Sequence, residues 1–258
     1  QNAFSQTGGI VAGTYNAINA SAASVTGGQY NLASGQSASV SGGEFNEATE
    51  FGSSVSGGAN NTASGPHASV TGGRANTAAG NWTAVSGGRG NSANSGYGSV
   101  SGGFSNESTN EYAWVGGGSN NVASNFYSSV SGGDGNLASG YASSVSGGGS
   151  NTALSARSSV SGGESNTASG GHASVTGGST NTASIDWATV SGGWLNRASG
   201  QASSISGGYN GDAVGGTSSI TGGHTNDANG NNSVVSGGNG RTAAGTHDWV
   251  AGALFQDN

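Results

Sequence analysis

"SSVSGGESNTASG", residues 158–170, is a phrase that returns with small changes from one end of this chain to the other. Within it Val160 stands between serines and is followed by two glycines, then by Asn166 and Ala168. Working outward, a β-branched residue recurs every 15 residues, at Ile10, Val25, Val40, Val55, Val70, Val85, Val100, Val115, Val130, Val145, Val160, Val175, Val190, Ile205, Ile220, Val235 and Val250. A fixed self-similarity of this kind sets the architecture before any local propensity does. The seventeen copies follow one another without insertion, and the unit reads S-S-V-S-G-G-x-x-N-T-A-S-G-x-x.

Composition alone suggests a flexible linker, with 54 Gly in 258 residues and only 7% charged residues. Three features argue otherwise: the strict period, the invariant branched position, and the low charge, since disordered polar chains are usually highly charged. The chain has no Cys, Met or Lys, which excludes disulfides and thiolate metal sites. No apolar run approaches the roughly 18 residues that span a bilayer. Net charge is −7 and the five arginines are scattered, so no basic stripe is present for nucleic acid. Gln1 opens no secretory signal, and we expect a secreted chain that begins after processing.

Each half of the unit alternates like a strand, and glycine-rich turns separate the halves. In 53–57 the positions 53, 55 and 57 share a side, and in 61–65 so do 61, 63 and 65. One repeat therefore predicts one coil of a two-sided solenoid, with Val, Ala, Asn and Gly inside and Ser or Thr outside. The expected fold is all-β: a single parallel β-solenoid domain over 1–258, of about seventeen 15-residue coils. At a ladder spacing of about 4.8 Å it would be roughly 80 Å long. One Val per coil is too little apolar burial to hold a coil by itself. Ladder hydrogen bonds and stacked inward Asn amides must supply the rest, and they do so only between neighbouring coils.

Gln1-Asn2-Ala3-Phe4-Ser5 aligns with N-T-A-S-G, and Val250 to Asn258 aligns with V-S-G-G-x-x-N-T-A. The terminal coils are also the more apolar ones, with Phe4, Ile10, Val11 and Tyr15 at one end and Trp249, Val250, Leu254 and Phe255 at the other. They read either as caps or as a head-to-tail joint, and a joint that does not close generates filaments.

The residues flanking the branched position predict a flat hydroxyl face, exemplified by Ser54, Ser56, Ser129, Ser131, Ser144, Ser146, Ser159, Ser161, Ser174 and Thr176. Such a face could order water and bind ice, pack on a copy of itself, or stay solvated. Aromatic residues gather at the turns, above all Phe51, Trp82, Tyr97, Tyr112, Tyr127, Tyr141 and Trp187 on one edge, where they could anchor a partner or a sugar. Titratable side chains do not converge, the Gly-Gly pairs open no helix, and no repeated Asp supports a calcium-binding β-roll. We expect no enzyme activity, no catalytic or metal-binding residue and no cofactor.

The alternation SSVSGG..NTASG resembles the head repeats of trimeric autotransporter adhesins and is similar to the β-rolls of ryegrass ice-recrystallisation inhibitors. The resemblance implies a left-handed parallel β-roll. The adhesin comparison implies secretion, surface attachment and trimers, and the ryegrass comparison implies ice binding through a hydroxyl-bearing face. Together these readings predict an extracellular structural subunit of a filament or surface matrix, assembled by head-to-tail self-association. The alternatives are an adhesin for glycans or surfaces and an ice-binding protein.

Overall fold

A computed structural model describes residues 1–4 and 9–252. Among them there is no helix; every strand is two residues long and every pairing is parallel. The fold is a β-solenoid with one coil per 15-residue repeat, and the chain divides into two compact units, Gln1–Gly132 and Gly133–Asn258.

Both units use the same coil. One sheet stacks the Ser-Val segments, as where Ser54–Val55 pairs with Ser69–Val70, and the other stacks the Thr-Ala segments, as where Thr62–Ala63 pairs with Thr77–Ala78. Between them the residue after the Gly-Gly pair adds a one-residue bridge to the next coil, as Ala59 does to Arg74. The expected five-residue strands are cut to two because the chain turns through left-handed backbone at the second glycine and at two further positions per coil. In the coil of Val55 these are Gly58, Asn60 and His67, with φ of 87°, 57° and 56°.

The core is thin and partly polar. Val55, Ala63 and Ala68 are buried, and so are Asn61 and Ser53. Asn61 shows why an amide is required at its position. Its Nδ2 donates to Gly57 O in its own coil at 2.9 Å and to Gly73 O in the next at 3.0 Å, while its Oδ1 accepts the Asn76 amide at 3.0 Å. Repeated coil after coil, this ladder satisfies groups that would otherwise be buried without partners. Gly58 is fixed by the same contacts, since a Cβ there would lie 2.1 Å from Gly73 O. Gly57, expected inside, instead borders open space, and a Cβ there would meet nothing within 4 Å.

The first coil departs from the strict period. Val11, not Ile10, pairs with Val25, whereas Thr14 pairs with Gln29 in the ordinary register. One residue is therefore missing between Val11 and Thr14, where Ala12-Gly13 replaces the usual Ser-Gly-Gly. Ile10 takes the outward Ser place and is 65% exposed, which corrects its assignment as an inward residue. Upstream, Asn2 rather than Gln1 occupies the ladder position, its Oδ1 accepting the Asn16 amide at 3.1 Å. The apolar inward residue wins over sequence periodicity because a single glycine can still make the turn.

Candidate functional site

Three surfaces follow from the coil. The first is the outer side of the Ser-Val sheet. In the coils of Val55, Val130, Val145, Val160 and Val175, the residue before Val is half-buried and the one after it exposed. This places Ser54, Ser56, Ser129, Ser131, Ser144, Ser146, Ser159, Ser161, Ser174 and Thr176 in two outward columns. No charged residue occupies either column in either unit, although the other sheet carries Glu47, Glu107, Arg197, Asp212 and Asp227 outward. Interruptions are apolar and locally compensated. Trp114 lies across Gly116, where a Cβ would come within 2.9 Å of the indole, and Trp249 donates its Nε1–H to Ser236 Oγ at 2.7 Å.

The second surface is the pair of turn edges. Most of the aromatics sit at the left-handed positions, including Trp82, Tyr97, Tyr112, Tyr127 and Trp187. A side chain there costs roughly 1–2 kcal/mol of backbone strain, which stacking on the next coil offsets in part. Tyr97, Tyr112 and Tyr127 form a column with centroids 5.0 Å apart and planes within 8°. His67 stacks on Trp82 at 4.1 Å, with Phe51 edge-on to His67. On the opposite edge Tyr15, Tyr30 and Phe45 stack, which places Tyr15 in a column running along the coils. In the second unit His172 stacks on Trp187 at 4.1 Å, and Trp194, Tyr209 and His224 follow one another on the opposite edge. Tyr141 is exposed on the edge that carries Trp187.

Stacking changes what these rings can do. Both faces of Tyr112 are covered by its neighbours, so it presents a rim and a hydroxyl rather than a flat platform. Packing, followed by the phenols of Tyr127 and Tyr97 and the Glu111 carboxylate, pushes the Tyr112 phenol above its ordinary pKa. Trp187 differs, because the next coil holds Ala202 at the equivalent place. Beside it lies an open groove of about 490 Å³, lined by Trp187, Gln201, Ala202, Gly216, Thr217, Asn231 and Asn232. Sequence reasoning singled out Trp187 but missed the groove. The signal was the column His172, Trp187, Ala202, Thr217, Asn232, in which rings give way to small and polar residues.

No family model matches this chain. No curated protein is significantly similar to it either.

The third surface comprises the first and last described coils. Trp249 is 69% exposed and Ile10 65%, while Val11 and Val250 are half-buried. Phe4 lies in a strand paired with Ala17–Ile18. Leu254 and Phe255 lie outside the described residues.

Electrostatic features are few. Arg197 and Asp212, in register on successive coils, approach to 3.5 Å. Asp227 follows Asp212 in the same column; burial first, and the Asp212 carboxylate second, push its carboxyl above the usual value. Among the described residues no group of three or more His, Asp or Glu side chains could hold a metal ion, and no helix is long and apolar enough to cross a membrane.

Proposed function

We propose that this chain is a non-enzymatic structural protein of the extracellular space, a subunit of a filament or surface matrix in which β-solenoids stack end on. The observation that carries this reading is the state of the inward residues on the outermost described coils. Interior coils cover their inward Val completely, whereas Val11 and Val250 stay half-open, as expected of coils that receive another coil. A strand edge left unpaired recruits another strand. Negative-stain electron microscopy across a dilution series tests the reading, with filaments expected at high concentration. Removing residues 244–258 should abolish them while leaving the β-sheet circular dichroism in place. Isolated particles at every concentration, or loss of the fold on truncation, would make the end coils caps.

The uncharged hydroxyl face favours a second reading, binding to ordered water. Over the coils of Val145, Val160, Val175, Val190, Ile205 and Ile220 both columns are Ser or Thr without interruption. Ice grown in dilute protein should be faceted, and Ser159→Tyr with Ser174→Tyr should restore round crystals. Unshaped ice with the unmodified protein would remove this reading.

A further inference from the structure

We propose that the groove beside Trp187 is a binding site for an uncharged oligosaccharide. The inference does not rest on end-on assembly: every lining residue lies in the second unit, and the last coil reaches the groove where His247 Nε2 lies 3.4 Å from Asn232 Nδ2.

The argument starts from the indole. One face of Trp187 is closed by His172, parallel to it within 3° and 4.1 Å away. The other looks toward Ala202, whose methyl is too small to cover it, and Trp187 remains 56% exposed. An open indole face held rigid by a stacked neighbour suits the C–H face of a pyranose, since the ring needs no ordering when the sugar arrives. Around it the groove supplies hydrogen-bonding groups without charge. Among the described residues the Gln201 side-chain amide has no hydrogen-bond partner. Asn231 uses its Oδ1 to accept the Gly216 amide at 2.9 Å, which fixes the side chain and leaves Nδ2 available. Thr217 Oγ1 lies within hydrogen-bond reach of both Gly216 O, at 2.7 Å, and Asn232 Oδ1, which share its one proton, and Asn232 Nδ2 lies 3.4 Å from His247 Nε2, so the Asn232 amide is also held in place. Oriented amides beside an aromatic face match the alternating hydroxyl and C–H surfaces of a sugar.

Charge selects among sugars. No lining residue is ionisable, and the nearest carboxylate, Asp186, adjoins Trp187 with its Oδ1 held by the Gly171 amide at 2.8 Å. A uronate or sialic acid would find the Asp186 carboxylate nearby and neither Arg nor Lys among the lining residues. Extent selects for a chain: from Trp187 to Asn232 the lining residues cover three coil steps, about 14 Å at the ladder spacing. That length exceeds a monosaccharide and suits a short oligomer lying along the stack.

The test titrates the full chain with cellohexaose, maltohexaose and chitohexaose, with hexagalacturonate as the anionic comparison, by isothermal calorimetry and saturation-transfer NMR. Saturable binding of at least one neutral hexaose is expected, with no heat from hexagalacturonate. Trp187→Ala should weaken it by about tenfold or more. Ala202→Tyr should do the same by covering the open indole face. An aromatic at this left-handed position is native in other coils, as at Tyr112, so that variant should keep the parent circular dichroism and melting curve. Trp82→Ala, in the first unit, should leave affinity unchanged. The proposal is overturned if none of the three neutral hexaoses binds, if hexagalacturonate binds as well as they do, or if affinity survives both Trp187→Ala and Ala202→Tyr.

Discussion

Individual side chains in this protein are explained by their neighbours one coil away. Gly211 stands where the ladder Asn belongs, and the coils around it carry Ile205 and Ile220 instead of Val. A Cβ at Gly211 would lie 3.5 Å from Ile220 Cδ1, so the longer side chain extends toward the space that the amide vacates. The cost is the acceptor that the Asn226 amide would otherwise find. Gly98 and Ser108 form a similar pair: Ser108 donates to Ala113 O at 2.9 Å, and its Oγ would lie 2.6 Å from a Cβ at Gly98. Gly211→Asn alone should crowd Ile220 and yield little. Combined with Ile220→Val it should restore the ladder and stabilise the fold by about 1 kcal/mol. A double-mutant cycle from urea denaturation checks this, and additive effects would show that the two positions do not communicate.

Columns of equivalent residues give the sheets their chemistry, and like charges stacked in register are the weak points. Asp227 is partly buried and faces Asp212, whose carboxylate is already engaged by Arg197. Because the folded state raises the Asp227 pKa, it favours the protonated form. That stabilising contribution is fully present below the ordinary aspartate value of about 3.9 and is lost as pH rises through the raised value. Asp227→Asn should therefore stabilise the protein at pH 7 by about 0.2–1 kcal/mol, the range for cross-strand charge pairs. The difference should disappear in acid. Urea melts at several pH values measure it, and an equal gain at all pH values would assign the effect to packing rather than to charge.

Among the described residues the repeat length changes at one place, the glycine turn of the first coil. In the first coil a missing residue is absorbed at the glycine turn, and the first glycine of each pair, such as Gly162, borders open space. Deleting Gly162 should cost about 1–3 kcal/mol, in the range of a lost buried hydrogen bond, because Asn166 Nδ2 gives up its 2.9 Å bond to that carbonyl. Deleting Val160 should unfold the surrounding coils, since a one-residue slip turns every side chain of a strand to the other face. Excising residues 153–167, a complete repeat, should leave the melting temperature nearly unchanged. Thermal melts followed by circular dichroism compare the three variants. Much of this architecture was legible in the repeat: the parallel coils, the inward Val, Ala and Asn, and the outward hydroxyls all follow from alternation at a fixed period. Strand length, the displaced first coil and the groove beside Trp187 were not. Periodicity records which residues are equivalent, and that suffices for register because identical coils stack in only one way. Whether Ile10 or Val11 turns inward, which ring faces are covered, and where a small residue leaves a gap depend on contacts between side chains a full coil apart, which only the folded chain brings together.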